Sequence, residues 1–404
     1  MTLPIAFAPK KIRRHLQSCA PYFAFAALLM FPASQGDAAQ GIYSDEVVVG
    51  THADLSGPLS VWGEAVVNGI ELAFEEANEA GGVHDRAVRL IAKDDAYDSA
   101  RASEAVRELV EIDKIFAILS PLGTPTTQVA AAAALERDIL YLFPVTGAGQ
   151  PPALQSPFGF ALSRSTEDEI ATGLARVLAT RPGSNVAILA SDDPFGHAVR
   201  DGAKAQLGEL GTEPIADVTI ARGASDYSIP LSWLREANAD IIVLSSIGEE
   251  AIGVMQAALR MRWRPTFLCP SSCYTPELAA LGGEIVEGLY ALGQIPIPYG
   301  NDPLLGEWAR NYEEKFDMIA SAQALSAYRN ARLFLAVLGR VGRTPTQANF
   351  RHALETLGPW TDPLIAMPPI IFSPENHQGL HDVFLAQVQG GRWVIVPHIS
   401  PTRL

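Results

Sequence analysis

The sequence predicts an α/β protein of two similar Rossmann-like lobes, each built on a parallel sheet. Short runs rich in β-branched residues alternate with helical patterns from Glu46 onward, which is typical of parallel sheets. The alternation stops at a loop rich in Pro, Gly and Ser, residues 147–156, and then begins again. At 404 residues the chain is too long for one hydrophobic core and about right for two.

In the first lobe, strands are predicted at β-branched runs and helices where apolar residues recur every three or four positions. The clearest helix spans residues 62–80, because Val66, Ile70 and Phe74 share one face and Gly81 ends it. The predicted elements are strand 47–50, helix 62–80, strand 88–92, a helix from 99, strand 115–119, a helix from 126 and strand 139–143.

The same pattern predicts the second lobe and a C-terminal group of helices and strands. The second lobe has a helix from 166, strand 186–190, helix 196–210, strand 215–220, a short helix near 231, strand 241–244, helix 249–260 and strand 266–268. Helices near 304–316, 322–341 and 346–357 follow, and then strands near 370–372, 383–389 and 393–396. Gly390 and Gly391 between the last two strands predict a hairpin turn.

The first forty residues differ from the rest of the chain. A basic run at residues 10–14 precedes an apolar stretch at 19–31, and small polar residues follow. This is the plan of a secretory signal peptide, predicted over residues 1–39 with cleavage near Ala38 or Ala39. A membrane anchor is the alternative, but the apolar stretch is too short to cross about 30 Å of hydrocarbon. We therefore expect a periplasmic protein.

Charge and cysteine content exclude several classes of protein. The chain has 45 acidic and 30 basic residues, a net charge of −15, and loss of the basic leader makes it more acidic still. Such a surface disfavours nucleic acid and anionic membrane as partners. Cys269 and Cys273 are the cysteines that follow the leader, which excludes a four-cysteine metal site. The pair forms either a small-loop disulfide in an oxidising compartment or two separate thiols.

Signals for catalysis or a resident metal are weak throughout the sequence. The motifs of zinc hydrolases, serine hydrolases and phosphate-binding loops do not occur. His377 and His381 are four apart, but Gly379 between them favours a loop. Asp94 and Asp95 do not have the spacing of a calcium loop, and Asp98 is suited to cap a helix. We therefore expect no enzyme, no cofactor and no metal site.

The loops that follow the predicted strands are the candidate site, because open parallel sheets bind ligands beyond the carboxyl ends of their strands. Several short segments in and around these loops carry a resemblance. They are VVVGTHADLSGP (47–58), WG (62–63), NGIELA (68–73), NEAGGV (78–83), DD (94–95), LGTPT (122–126), FPVTGA (143–148), DPFG (193–196) and ASDYS (224–228). In this order they resemble the periplasmic leucine/isoleucine/valine-binding proteins of ABC transporters, which have the type I periplasmic binding protein fold.

This resemblance implies two lobes joined by a three-strand hinge, with a ligand held in the cleft between them. Lobe one is then expected at 46–163 plus 294–372, and lobe two at 164–293 plus 373–404. The binding positions that it implies are Trp62, Gly123, Thr124, Thr126, Thr146, Gly147, Ala148 and Phe195, and the lobe-two loops add Gly248, Glu249, Ser271 and Ser272. Five of these have a structural alternative: Thr124 and Thr126 as helix caps, Trp62 as a cover for a helix end, Phe195 as core, and Glu249 as a charge at a helix start.

The resemblance also implies a function. This sequence departs from the family in the residues that would hold the amino group of a ligand. Amino-acid binders of the family hold the ammonium group with an acid of lobe two, and the loop Cys269–Cys273 has none. Because a buried ammonium without a counter-charge is costly, we expect a carboxylate-bearing aromatic or a largely apolar ligand. The chain is predicted to be a monomer that delivers this ligand to a membrane ABC permease. A ligand-sensing subunit of the same fold and an unrecognised extracytoplasmic enzyme are the alternatives.

Overall fold

A computed structural model describes residues 39–147, 152–162, 164–299, 302–365, 367–380 and 382–396, with the side chain of Glu249 left out. The predicted signal peptide, apart from its last residue, and Ala148 lie outside these ranges. In the described residues no helix has both the length and the apolarity to cross a membrane.

The first sheet is wholly parallel, with the strand order β2-β1-β3-β4-β5. Its strands are β1 (Glu46–Ala53), β2 (Ala87–Asp94), β3 (Ala117–Leu119), β4 (Leu140–Leu142) and β5 (Gly159–Phe160), and its helices are α1 (Ser60–Glu79), α2 (Ser99–Glu111) and α3 (Thr124–Leu135). The central strands are buried on both faces, which explains why they are continuous apolar runs. We call the part built on this sheet lobe one.

The second sheet defines lobe two and has the order β12-β11-β10-β9-β8-β6-β7. Its strands are β6 (Val186–Ser191), β7 (Ala216–Ile220), β8 (Ile241–Leu244), β9 (Thr266–Cys269), β10 (Tyr290–Gly293), β11 (Phe384–Gln389) and β12 (Arg392–Ile395). Its helices are α4 (Thr166–Thr180), α5 (Pro194–Glu209), α6 (Ser228–Glu236), α7 (Glu249–Arg260) and α8 (Pro276–Gly282). The pairs β10–β11 and β11–β12 are antiparallel, and the predicted hairpin at Gly390 and Gly391 is confirmed.

Three further helices return to lobe one: α9 (Pro303–Phe316), α10 (Ala322–Val341) and α11 (Gln347–Glu355). Their buried aromatic residues Trp308, Phe334 and Phe350 belong to the same hydrophobic core as strand β1. The predicted strand at 370–372 is wrong. Ile370 makes one isolated bridge with Trp360, because this segment runs along the core without an extended neighbour to pair with.

The chain passes between the lobes three times: after β5, after β10 and before β11. These crossing segments are hydrogen-bonded to one another. The amide of Ala161 donates to the backbone carbonyl of His377 at 2.9 Å, and the amide of Gly379 donates to the backbone carbonyl of Ala161 at 2.9 Å. The Arg164 amide donates to the side chain of Gln294 at 2.8 Å. The result is the expected fold class, two parallel-sheet lobes on a three-strand hinge, whereas the residue boundaries of the lobes stay a prediction.

Candidate ligand-binding cleft

A cavity of about 120 Å³ lies between the two lobes, at the carboxyl ends of their strands. Its lobe-one lining is Leu59, Trp62, Tyr97, Leu122, Gly123, Thr124, Val145, Thr146, Gly147, Ala322, Gln323, Ser326 and Arg329. Its lobe-two lining is Thr166, Glu169, Phe195, Ile247, Ser271, Ser272 and Tyr274, and the crossing segments add Leu162, Gln294, Ile295 and Leu380. Eight predicted residues therefore meet in one cavity: Trp62, Gly123, Thr124, Thr146, Gly147, Phe195, Ser271 and Ser272. Contact with a ligand stays a prediction for each.

The loop after β1 is held by Asp54, a fully buried carboxylate. It accepts hydrogen bonds from the amides of Gly57 at 2.5 Å and Leu59 at 2.7 Å. Such local bonds fix a turn without help from a strand. The turn begins helix α1 and sets Leu59 and Trp62 against the cavity.

The start of α3 is an open helix N-terminus. Gly123 precedes the helix with a φ of 113°, a conformation that favours glycine, and no side chain caps the helix. Thr124 instead joins two loops, because its Oγ1 accepts the Gly147 amide at 3.0 Å. Among the described residues no hydrogen bond occupies the amides of Thr124 and Thr126. First-turn amides of this kind attract anions.

Two predicted site residues, Thr126 and Gly248, are not among the residues that line the cavity. Thr126 is fully buried and its hydroxyl donates to the Leu122 carbonyl at 2.8 Å, so it braces the first turn of α3. Gly248 precedes α7 with a positive φ, and its neighbour Ile247 lines the cavity in its place. Ala148 and the side chain of Glu249 lie outside the described residues.

Phe195, at the start of α5, forms the aromatic part of the lobe-two wall. Arg222 lies over its ring, 5.5 Å from the centroid. The guanidinium is fixed by Asp193 at 2.9 Å and Glu250 at 2.7 Å. Burial opposes the charge of Asp193, but Arg222 outweighs it and holds the pKa of that carboxyl below its usual value. The ring belongs to a hydrophobic cluster of lobe two and also has this ion cluster packed against it.

Glu169 is the main residue that the sequence analysis missed. It lies on the first turn of α4, is 1% exposed and lines the cavity. The loop Cys269–Cys273 has no carboxylate of its own, but Glu169 of α4 lies against it. The sequence does show an acidic helix start at residues 167–169. Such a run is ordinarily exposed to solvent, so it did not indicate a site residue. Tertiary packing of α4 against the loop after β9 buries this one member of the run.

The carboxylate of Glu169 accepts hydrogen bonds from three neighbouring donors. The Ser271 amide donates to it at 3.1 Å and the Ser271 hydroxyl at 2.9 Å, and the side-chain amide of Gln294 donates as well. Burial nevertheless raises its pKa, against these hydrogen bonds. Glu169 thereby joins α4, the loop after β9 and a crossing segment.

We expect Glu169→Gln to remove one component of the pH dependence of stability. A raised pKa means that the folded state binds the proton more readily than the unfolded state, so stability gains as pH falls from the folded pKa towards 4.5. Urea unfolding between pH 4.5 and 7.5 measures this, with the exposed Glu79→Gln as control. Wild type should gain stability relative to Glu169→Gln, but not relative to Glu79→Gln, as pH falls. Parallel curves for all three proteins would contradict it.

Cys269 and Cys273 form a disulfide, with their Cα atoms 6.0 Å apart. Ser271 and Ser272 lie between them on a short 3-10 helix, and both line the cavity. The Ser272 hydroxyl donates to the Ser246 carbonyl at 2.8 Å. The bond therefore closes a small loop at the lobe-two wall.

The residues that weakly suggested a metal have other partners. Asp98 caps α2 by accepting the amides of Ala100 and Arg101, as expected. The buried Asp95 is hydrogen-bonded through its Oδ2 to the Nδ1 of His52 at 2.7 Å. Asp94 forms an ion pair through its Oδ2 with the Nη2 of Arg101 at 2.9 Å. In the described part of the chain, no three His, Cys, Asp or Glu residues are grouped to hold a metal ion.

Other missed residues come from elements far along the chain. Tyr97 lies after β2 with a φ of 60°, and its amide is held by Asp95 at 2.9 Å. Gln323, Ser326 and Arg329 lie three apart on α10, so they share one helix face, and that face meets the cavity. Nothing in the sequence spacing alone distinguishes this polar stripe from a solvated one.

Two lobes on a three-strand hinge, with a cavity between them, define a solute-binding protein of the type I fold. The family model described as "Periplasmic binding protein" matches residues 46–392. The chain therefore belongs to this periplasmic binding protein family, as the sequence resemblance predicts.

Known proteins agree with this assignment. The chain is 26% identical over 249 residues to the Leu/Ile/Val-binding protein homolog 2 of Brucella abortus, which covers 60% of this chain and 65% of that relative. A branched-chain amino acid ABC transporter structure from Thermus thermophilus with bound valine matches with a TM-score of 0.80 at 19% identity, over 89% of this chain and 96% of that one. A fatty acid ABC transporter substrate-binding protein from Thermomonospora curvata matches with a TM-score of 0.77 at 19% identity, over 89% and 93%. The two structures support the fold.

Proposed function

We propose that this protein captures a small carboxylate-bearing molecule, aromatic or largely apolar elsewhere, and delivers it to a membrane ABC permease. The observation that carries the proposal is the uncapped start of α3 at the cavity. Thr124 lines the cavity there, and the first-turn amides of the helix are free of other partners among the described residues. This is a favourable environment for a carboxylate, since amide donors and the helix dipole act together.

Apolar and aromatic side chains make up much of the remaining wall. Leu59, Trp62 and Val145 come from lobe one, and Phe195 and Ile247 from lobe two. Burial of ligand carbon against them contributes about 25 cal/mol per Å². The Thermus thermophilus structure has bound valine and the Thermomonospora curvata protein serves a fatty acid transporter, so ligands of both kinds are compatible with the fold.

Glu169 bears on whether the ligand carries an ammonium group. A carboxylate at the lobe-two wall is the group that an amino acid needs, but three donors from Ser271 and Gln294 already occupy its oxygens. An ammonium would have to displace them or share them. These existing hydrogen bonds of Glu169 therefore support an acid without an α-amino group over a plain amino acid.

Export and a monomeric state complete the proposal. The leader at residues 1–39 supports secretion to the periplasm, and the interlobe cavity is formed within one chain. Ligand release to a permease then follows from opening of the lobes about the hinge.

Ligand binding to the purified protein tests this function. After removal of bound ligand by unfolding and refolding, thermal unfolding is followed with benzoate, phenylacetate, octanoate, benzamide and leucine. We expect the acids to raise the melting temperature, and benzamide and leucine to have little effect. No shift with any acid, or a larger shift with leucine, would contradict the proposal.

Thr124→Val should weaken binding of the acids about 10-fold, because it removes the hydroxyl that orders the carboxylate site. Calorimetric titration of the acid with the largest thermal shift measures the change. Thr126→Val is the matched control from the same helix turn. It should lower stability, because the Leu122 carbonyl loses a donor, and leave affinity within about 3-fold. Equal losses of affinity in both variants would argue against an anion site at α3.

A further inference from the structure

The tight turn between β2 and α2 is filled by residues that such a turn disfavours. The Asp98 amide donates to the Asp95 carbonyl at 2.9 Å, and the two central residues, Ala96 and Tyr97, have φ angles of 48° and 60°. Positive φ at both central positions defines a mirror-image turn, in which glycine and asparagine are usual. Alanine and tyrosine carry a Cβ atom, so this conformation costs them free energy. Strain of this kind persists only where the surroundings hold it, and it is common at binding sites.

A chain of buried hydrogen bonds holds this turn from behind. The Tyr97 amide donates to Oδ1 of Asp95 at 2.9 Å, and Nδ1 of His52 donates to Oδ2 of the same carboxylate at 2.7 Å. On the other side of the imidazole ring, the Tyr141 hydroxyl donates to Nε2 of His52 at 2.8 Å. Asp95, His52 and Tyr141 are each 0% exposed. With these roles each donor meets an acceptor, so the chain is satisfied by a neutral imidazole.

The side chain of Tyr97 lies at the cleft. The residue lines the interlobe cavity, and its ring lies over the start of α3, since a Cβ atom added to Gly123 would be 3.0 Å from Cε2 of the ring. Because Cε2 is bonded to the carbon that carries the hydroxyl, the hydroxyl lies at the same end of the cavity as the uncapped helix. The charges of Arg222 and Asp193 in lobe two act on this hydroxyl from across the cleft.

The hydroxyl of Tyr97 is a donor that no described residue engages. It forms no hydrogen bond in the described part of the chain, and it is not among the fully buried polar atoms there that lack a partner. It is therefore accessible to a molecule in the cavity. Burial raises the pKa of Tyr97 above its usual value, so the hydroxyl keeps its proton at neutral pH and can donate to an anion.

We propose that Tyr97 is a ligand-binding residue whose hydroxyl donates to the ligand carboxylate at the start of α3. Tyr141, His52 and Asp95 are positioning residues, because they fix the strained turn that presents the ring. This inference rests on the proposed function and deepens it. A carboxylate accepts more hydrogen bonds than the amides of Thr124 and Thr126 supply, so a hydroxyl donor beside them completes the site.

Tyr97→Phe tests the binding role, because it removes the hydroxyl and keeps the ring. The probe is the acid with the largest thermal shift among benzoate, phenylacetate and octanoate, titrated calorimetrically into ligand-free protein. We expect an affinity about 10-fold lower than that of wild type, as for a lost hydrogen bond to a charged group. Tyr43→Phe is the matched control, because Tyr43 is exposed and lies outside the cavity lining. It should bind as wild type does.

A double-mutant cycle tests the positioning role. His52→Ala should lower the affinity for the same acid about 5-fold in the wild-type background, because the turn loses its support. In the Tyr97→Phe background it should change the affinity less than about 2-fold, since the hydroxyl that it positions is gone. A residue that merely stabilises lobe one would lower both affinities by the same factor. If His52→Ala does not fold, Tyr141→Phe, which breaks the same chain one bond further from Tyr97, replaces it with an expected loss of about 3-fold.

The outcomes separate this inference from the proposed function. If acids bind wild type and Tyr97→Phe binds them equally well, the proposed function stands and this inference fails. An equal loss in both backgrounds of the cycle overturns the positioning role. If Thr124→Val leaves acid binding unchanged while Tyr97→Phe weakens it, the anion site at α3 fails on its own. If no acid binds wild type, the proposed function fails, and the contact of Tyr97 with a carboxylate fails with it.

Discussion

Gly147→Val is expected to abolish ligand binding and leave the protein folded. Gly147 lies in the loop after β4 of lobe one, and a Cβ atom there would contact the Thr166 hydroxyl and lie 2.9 Å from the ring of Phe195. Both neighbours belong to lobe two. The Thr166 amide also donates to the Gly147 carbonyl at 2.7 Å across the cleft. A larger side chain therefore prevents the lobes from closing.

The open protein should remain folded, because none of the four hydrophobic clusters of the described residues contains Gly147. An affinity loss of 100-fold or more is expected, since binding needs the closed state and the substitution makes that state rare. Titration calorimetry measures the affinity, and small-angle scattering with ligand should show no compaction.

Two further variants control this prediction. Gly208→Val is the matched control, because Gly208 is an exposed residue of α5 with no atom near its added Cβ. It should bind as wild type does. Gly147→Ala combined with Thr166→Ala should regain part of the affinity that Gly147→Ala alone loses, since the clashing hydroxyl is removed. Normal binding by Gly147→Val would show that closure at this contact is not required.

Arg222→Met is expected to have the largest effect on stability. Its guanidinium joins Asp193, Glu250, the Ser191 hydroxyl at 2.7 Å and the Ser245 carbonyl at 3.0 Å. The Arg222 and Asp193 side chains are each only 19% exposed, so removal of the cation leaves two poorly solvated carboxylates facing each other. We expect a loss of about 2 to 3 kcal/mol in the free energy of unfolding, below the range for a fully buried pair. Urea unfolding at pH 7 measures it.

The pH dependence of the same variant provides a second readout. Because Arg222 holds the pKa of Asp193 below its usual value, the stability that this carboxylate contributes is present above about pH 4 and is lost as pH falls through the folded pKa. In Arg222→Met, this loss of stability at falling pH should disappear. Ligand affinity should also fall, because the ring of Phe195 loses the group packed behind it.

Arg107→Met is the matched control for Arg222→Met. Arg107 also binds two carboxylates, Glu104 at 2.5 Å and Glu111 at 3.4 Å, but all three side chains are exposed on α2. Exposed ion pairs contribute little, so the unfolding midpoint should hardly change. A similar destabilisation by both variants would show that burial of the Arg222 cluster is not the cause.

The sequence predicted the elements of this fold well because most of them carry their own signals. The apolar strand Ile241–Leu244 and the capped helix that Asp98 begins are both local patterns. The segment 370–372 failed for the opposite reason: its β-branched residues fit a strand, but a strand needs an extended neighbour, and only the fold provides one or withholds it.

The candidate site also has one part that the sequence predicted and one part that it did not. The sequence by itself determined the lobe-one wall, since Gly123, Thr124, Thr146 and Gly147 follow directly after buried strands and loops there must meet at one sheet edge. Only the tertiary structure showed which charged residues line the cavity. Glu169 and Arg329 lie on helices whose polar faces look solvated in the sequence. Long-range packing buries both, and a buried charge interacts more strongly with its neighbours because the protein interior screens it less than water does.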